Sequence, residues 1–435
     1  MPFGLVRFGV APDHEDTKAV SSRFERLASD HRVTLLLHAP VGGPHGVPLA
    51  QLRLRYHATV LATGAPNERP LRVPGSSLRN VFSSRQFVEW YNGHPNSHAL
   101  PVSLAGPTTA LVVGAGNVAI DVARMLLSPV ATLARTDIAE RALTELARST
   151  ISQVVLLSRR GPAQSSATPI ELREVCSLPG VAVSCDGGAL DAERFSAADS
   201  AELAASRPRR RAVEEMRKAV DRSAEQRGGG EQHTKTLRLL FRRSPAALLP
   251  SQLDAAAVGA AALTVNALTG PAGAQAAVAD ASAPPETLSV GLVVSALGAI
   301  GAQCDDAPFD RATHTIPHSL GAVFGSGPGL YCVGWAKRGA SGTIGTNLAC
   351  ASETVDTIAA HAAEGKLPEP VDAGGVDAIA AMVSAAGGAP LRLAAWRAID
   401  AAECEAGAAA GKPREKAATV EEMLRLAERG EGAYG

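Results

Sequence analysis

The chain has 435 residues, enough for two or three hydrophobic cores, and 46% hydrophobic with 20% charged residues excludes a disordered or fibrous protein. Lys+Arg 42 against Asp+Glu 43 leaves a formal charge of -1, so overall charge does not hold nucleic acid or an anionic membrane. No apolar run reaches the roughly 18 to 20 residues of a membrane-spanning helix, and the six cysteines form no C-x-x-C pair, which leaves no zinc cluster, no redox dithiol and a set of reduced thiols.

The start, "MPFGLVRFGVAPDH", interleaves apolar and turn residues with no polar tail. Residues 1–105 alternate short apolar runs with turns: "RVTLLLHAPVG", "HATVLATGAP", and a looser stretch ending "FVEWYNGHP". Residues 110–175 predict strand, tight glycine turn, long helix and strand, from "ALVVGAGNVAIDVARMLL" to "ISQVVLLSRRG", then a helix from about Pro169 to Cys176. That is βαβ periodicity and implies a parallel sheet. From 186 to 236 the chain is polar and alanine-rich and reads as a surface helix and loop, and apolar runs between 255 and 300 predict a β-meander. The last third returns to turn-then-helix and ends in a charged helical tail.

The turn Gly114-Ala115-Gly116-Asn117-Val118-Ala119 stands between "ALVV" and an amphipathic helix. The first glycine of such a turn allows the tight bend, the second lets backbone approach a pyrophosphate, and the small Ala119 lets helix and strand pack closely. The helix N-terminus supplies unpaired N–H groups for the phosphates. A bare G-x-G-x-x-A is also a plain strand-to-helix turn; its flanks favour dinucleotide binding. The next strand ends in Arg159 and Arg160 rather than an acid, which suits a 2′-phosphate and favours NADP over NAD, with a solvated loop as the alternative. The 45 residues from Gly114 to Arg159 exceed the usual 20 or so, so "SPVATLARTDIAERALTELARSTIS" is an insertion between helix and strand.

The run ending Ala62-Thr63-Gly64-Ala65 is patterned like the strand that links the FAD and NADP domains of two-dinucleotide flavoproteins. "YCVGWAKRGASGTIGTN" offers Trp335 to cover a flat ring and the backbone of Gly342, Thr343, Ile344 and Gly345 to a flavin. Alone it is equally a glycine loop with a core tryptophan.

Together "PFGLVRFGVAPDH", "GAGNVAIDVAR", "LLSRRGPAQ…IELRE", "GLYCVGWAKRGASGTIGTN" and "GKPREK…EEMLRLAE" resemble the NADPH:adrenodoxin oxidoreductases, the mitochondrial-type ferredoxin–NADP reductases that also occur in bacteria. The resemblance runs in order over almost the whole chain. It implies an α/β fold of two Rossmann-like dinucleotide-binding domains, an FAD domain split between residues 1–105 and 325–435 around an NADP domain at 106–324. It implies hydride transfer from NADPH to FAD and single electrons to a [2Fe–2S] ferredoxin serving P450 or iron–sulfur pathways. In relatives a strand, a G-x-G-x-x-G turn, a helix and a second strand precede "PFGLVR", so the FAD domain is expected to be N-terminally incomplete here. After "RRGP" this chain has "AQSSATP" where relatives carry an apolar-aromatic stretch.

Carried over by motif, Gly114, Ala115, Gly116, Asn117 and Val118 hold the NADP pyrophosphate, Arg159 and Arg160 the 2′-phosphate, Glu171 and Gly342 the nicotinamide half, and Arg69 also meets NADP. Trp335, Gly342, Thr343 and Ile344 meet the flavin, and Ala39 the adenine side of FAD. His14, Asp121 and Glu174 are the polar candidates beside the rings, although hydride transfer strictly needs no acid or base and Asp121 can instead pair along its own helix. No metal site is expected. A ferredoxin dock is sought in "RPRRR" (Arg207, Arg209, Arg210, Arg211) or, preferred, in Arg238, Arg242 and Arg243, where Arg238 and Arg242 share a face if the segment is helical. A monomer is implied, in the mitochondrial matrix and peripheral to the inner membrane, or in the cytoplasm of a bacterium. The alternatives are a flavin-free remnant that binds NADP or a partner without turnover, and another FAD/NADP reductase such as the electron-input subunit of a glutamate synthase.

Overall fold

The two strands expected on either side of the glycine turn and its helix, in "ALVV" and "ISQVVLLSRRG", lie side by side in one sheet. In the computed structural model, which describes residues 2–230, 232–342, 344–371 and 374–431, six parallel strands lie side by side. They are β1 (Val81–Ser83), β2 (Thr109–Val113), β3 (Gln153–Ser158), β4 (Val181–Cys185), β5 (Lys235–Phe241) and β6 (Leu292–Ser295), in the order β1-β6-β2-β3-β5-β4. Parallel strands are covered on both faces and so are apolar throughout; Ala110, Leu111, Val112, Val154, Val155, Val293 and Val294 are all fully buried.

One face carries helices. Helix α1 (Ser84–Tyr91) starts on a capping box between Ser83 and Gln86, and α2 (Asn117–Leu127), α3 (Pro169–Cys176) and α4 (Arg207–Gly228) follow. Phe87, Tyr91, Ile120, Met125, Val175 and Met216 pack there with Val112, Val154 and Val294. The other face is covered by an antiparallel sheet in which Val258–Thr269 pairs with Arg243–Pro250, Ala276–Ala279 and Glu286–Ser289. Leu248, Ala261 and Leu263 meet Leu111, Val155 and Leu240 across that interface. The insertion after α2 folds as two short helices, Val130–Leu133 and Glu140–Ala147. Strand β1, although it lies in the 1–105 stretch, joins this sheet beside β6.

A second, smaller sheet pairs Thr59–Leu61 with Leu330–Cys332 in parallel, and then Ala322–Val323 and His318–Ser319. The two chain crossings between the sheets are themselves paired, Asn67–Glu68 against Ala299–Ile300. The tail folds as α5 (Leu393–Ala409) and α6 (Val420–Glu431), with Trp396 and Ile399 packed against Phe8 of the opening segment. "RVTLLLHA" forms no strand. It is held by a single bridge, Leu37 with Leu391, and Val33 is exposed, because no described strand lies alongside to take its backbone hydrogen bonds. All six cysteines are free thiols.

Candidate functional site

Strand β2 ends at Gly114, whose N–H donates to Leu157 O at 2.8 Å on β3. Its φ is 139°, and a Cβ there would overlap the carbonyl oxygen of Ala296, just past β6. Only glycine passes between these two strands. Gly116 is the N-cap of α2 and brings no side chain to cap it, so the first-turn N–H groups face outward. Asn117 turns its side chain inward instead: its Oδ1 accepts from Thr168 N–H at 2.8 Å, which leaves backbone, not the amide side chain, for a pyrophosphate. Ser165 Oγ donates to Ala115 O at 3.2 Å, and Ser166 stands beside Gly116, so "AQSSATP" lines the turn. At the end of β3, Arg159 is exposed and Arg160 half-buried, and neither has a carboxylate partner among the described residues. Burial and the neighbouring Arg159 charge lower the Arg160 pKa. Two guanidinium groups without a direct ion-pair partner among the described residues, beside a bare helix N-terminus, fit a phosphorylated nucleotide.

His14, Asp121 and Glu174 come together although they are far apart in the chain, and Glu171 joins them. His14 Nε2 lies 2.9 Å from Glu174 Oε2 and 3.6 Å from Glu171 Oε2. At the centre is Arg124, 2% exposed, paired with Asp13 and Asp121 at 2.8 Å each, with Glu171 at 3.3 Å, and with Glu174. Asp121 pairs along its helix, i to i+3, and burial, opposed by Arg124, pushes its pKa up to about 7. Ligand atoms of His14, Asp121 and Glu171 lie within 4.8 Å of one another. The Arg124 guanidinium already supplies positive charge to both carboxylates, which disfavours a metal cation. Sequence reasoning passed over Asp13 and Arg124. The available signal was Arg124 itself, which with Asp121 one turn before it is one of only two charges in the apolar run "VAIDVARMLL".

Past Leu330–Cys332 the chain turns through Gly334 (φ 65°) into the short helix Gly334–Arg338, and Trp335 Nε1 donates to Ser341 O at 3.1 Å. Arg338 reaches Ser341 O, Thr346 Oγ1 (3.1 Å) and Asn347, fixing a loop in which Gly339 and Gly342 take φ 79° and 80°. Gly342 is exposed, and a Cβ there would collide with Thr346. Thr343 lies outside the described residues; Ile344 opens the helix Ile344–Ala363. A glycine-lined loop pinned under an indole fits a flat ring approached by backbone. Ala39 is half-buried against the Val47, Ile379 and Val383 cluster, and Arg69 is exposed, its N–H donating to Gly298 O at 3.0 Å in the crossing.

The proposed dock is not helical. Arg238 lies within β5, and Arg242 is a left-handed corner, φ 55°, before the next strand, so the two share no helix face. Each of the three pairs internally: Arg238 with Asp186, Arg242 with Asp199 at 3.2 Å, and Arg243 with Glu286 at 2.8 Å. Arg207, Arg210 and Arg211 on α4 are exposed, with no carboxylate partner among the described residues.

A strand-to-helix glycine turn with a bare helix N-terminus, an arginine pair at the end of the next strand and a glycine loop beside an indole are the features expected of an oxidoreductase that uses a pyridine nucleotide and a flavin. No protein-family model matches the chain. It is 38% identical over 433 residues to the mitochondrial NADPH:adrenodoxin oxidoreductase of Salvelinus fontinalis, covering 98% of this chain and 84% of that protein. It is 39% identical over 429 residues to the human enzyme of that name, covering 98% and 85%, and 37% identical over 431 residues to NADPH-ferredoxin reductase FprA of Mycobacterium tuberculosis, covering 98% and 90%. The solved structure of that FprA in complex with NADPH matches with a TM-score of 0.87 at 35% identity, covering 98% of this chain and 90% of that one. The chain belongs to the NADPH:adrenodoxin oxidoreductase family.

Proposed function

We propose that this chain is an FAD-dependent oxidoreductase that takes reducing equivalents from NADPH and delivers them to an iron–sulfur ferredoxin. The observation that carries the reading is the Gly114–Ala119 turn beside two unpartnered arginines, in a chain 38% identical to a reductase named for NADPH and adrenodoxin. When bound, FAD would supply the acceptance of hydride and the release of single electrons, and the protein's part is binding and alignment.

Backbone N–H groups of Ala115, Gly116, Asn117 and Val118 hold the pyrophosphate, with Gly114 making the turn. Arg159 and Arg160 hold the 2′-phosphate, and Glu171, Gly342 and Arg69 meet the rest of NADP. Trp335 covers the flavin, Gly342, Thr343 and Ile344 present backbone to it, and Ala39 stands on its adenine side. Oxidation of NADPH by a one-electron acceptor releases a proton. His14 Nε2 and Glu174 Oε2, 2.9 Å apart, hold it between them, while Arg124 keeps Asp121, Glu171 and Glu174 converged on that pair.

The finer reading is a [2Fe–2S], adrenodoxin-like partner serving P450 or iron–sulfur pathways. Its acidic face meets Arg207, Arg210 and Arg211, or Arg238, Arg242 and Arg243 after exchange of their internal carboxylates; the first set needs no such exchange and is favoured. Domains run 1–105 with 325–435 for FAD and 106–324 for NADP, with β1 lent across that division. We place a monomer in the mitochondrial matrix, peripheral to the inner membrane, or in a bacterial cytoplasm, since relatives of both origins are matched at similar identity. No helix among the described residues is long and apolar enough to cross a membrane.

Purification with added FAD tests the flavin part. A yellow protein whose visible band bleaches on anaerobic addition of NADPH is expected; a folded, colourless protein that still binds NADPH instead supports a nucleotide-binding chain without turnover.

A further inference from the structure

Behind the Arg159–Arg160 turn, five polar side chains are almost wholly removed from water. Asp199 is 1% exposed, Gln164 and Glu202 4%, Gln275 6% and Asn266 7%. Burying carboxylates is costly unless each is hydrogen-bonded, and here each is. Gln164 Oε1 accepts from Gly161 N–H at 3.1 Å, and its Nε2 donates to Asp199 at 2.8 Å and Gln275 at 2.6 Å. Asn266 donates to Arg159 O at 3.1 Å, and Arg242 N–H donates to Arg160 O at 3.1 Å. The backbone of 159–161 is thus fixed from three segments of chain.

The second buried carboxylate holds something else. Glu202 Oε1 accepts from Gly273 N–H at 2.8 Å, which fixes the group, and Oε2 accepts from Arg209 NH1 at 2.8 Å. Arg209 stands in the first turn of α4, a helix that packs against the Pro162–Gln164 turn. The Arg209 charge reaches Arg160: with burial and Arg159 it lowers the Arg160 pKa, and Glu202 opposes it. Four guanidinium groups, Arg159, Arg160, Arg209 and Arg242, therefore stand at or near the end of β3 against two carboxylates, Asp199 and Glu202, a surplus of positive charge matched to a phosphate monoester, which carries about -1.5 to -2 at neutral pH.

We propose that Arg209, set in place by the buried Glu202, is a third ligand of the 2′-phosphate, and that preference for NADPH over NADH is carried by α4 as well as by the end of β3. The proposal rests on the reading that Arg159 and Arg160 meet that phosphate. It removes Arg209 from the candidate ferredoxin dock and leaves Arg207, Arg210 and Arg211 there.

Calorimetric binding of 2′,5′-ADP and 5′-ADP to the full chain tests it without any flavin turnover. Arg209→Gln, at a partly exposed position, is expected to weaken 2′,5′-ADP about tenfold, as loss of one charge-assisted contact would, and to leave 5′-ADP unchanged. Arg209→Lys is expected to restore part of the loss, and Glu202→Gln, which frees Arg209, to reproduce it in smaller measure. If Arg209→Gln binds 2′,5′-ADP like the parent while Arg159→Gln and Arg160→Gln are weakened, the assignment of Arg209 is overturned and the arginine pair stands. If none of the three is weakened, the 2′-phosphate reading falls and takes this one with it. An equal loss for both nucleotides in Arg209→Gln also overturns the assignment, because it marks a structural role.

Discussion

At Arg124 one buried cation serves four carboxylates drawn from three parts of the chain, and removal of any one partner changes the balance for the rest. Asp121 bears the cost. Burial lifts its pKa to about 7 from the ordinary 3.8, so between those values the folded chain binds more protons than the unfolded one. Its contribution to stability is complete below about pH 4 and is lost as pH rises through about 7. Asp121→Asn should therefore flatten the fall in stability between pH 4 and 8, read as the difference in denaturation midpoint between variant and parent. A variant whose profile parallels the parent's would place the titrating group elsewhere. These contacts were poorly legible in the sequence. Asp121 to Arg124 is a helical spacing that can be read locally, whereas Asp13, Glu171 and Glu174 arrive only through the fold.

At the scale of elements, the β2–α2 turn was legible because its chemistry is local: glycines at fixed offsets between an apolar strand and an amphipathic helix. Gly114 joins a positive φ to a Cβ position blocked by Ala296. Gly114→Ala must push β2 away from β6, and we expect at least tenfold weaker NADPH binding with a lowered Tm; unchanged NADPH titration would contradict the geometry. Other elements needed the whole sheet. "RVTLLLHA" is as apolar as a strand yet makes one bridge, because a strand is defined by its neighbours and, beyond Leu391, no described residue pairs with it in a ladder. "LRLLFRRSP" shows helical spacing of arginines but lies in the sheet, where β3 and β4 claim its backbone on both sides.

At the scale of the molecule, the opening segment, the insertion after α2 and the charged tail meet at one carboxylate. Asp137 pairs with Lys18 and, at 2.9 Å, with Lys416. Burial pushes Lys416 down to about 7 from 10.5, so across that interval the unfolded chain binds more protons and stability rises with pH. Lys416→Met should reduce that rise in urea denaturation between about pH 7 and 10, and a steeper rise would count against the three-way contact. The electron acceptor is met at the surface, where charge steers encounter and salt screens it. We expect ferredoxin reduction to lose kcat/KM as ionic strength rises, and Arg210→Glu with Arg211→Glu to lower it while leaving NADPH-to-ferricyanide activity unchanged. If both activities fall together, α4 is not the dock.

The activity proposed for this chain is electron transfer from NADPH to an iron–sulfur ferredoxin. Its most direct test is anaerobic reduction of a [2Fe–2S] ferredoxin by the FAD-loaded chain, followed by loss of the ferredoxin's visible absorbance. Rapid reduction with NADPH and little with NADH at the same concentration is expected. Flavin-loaded protein that leaves ferredoxin oxidised, or reduces it equally well with NADH, would contradict it.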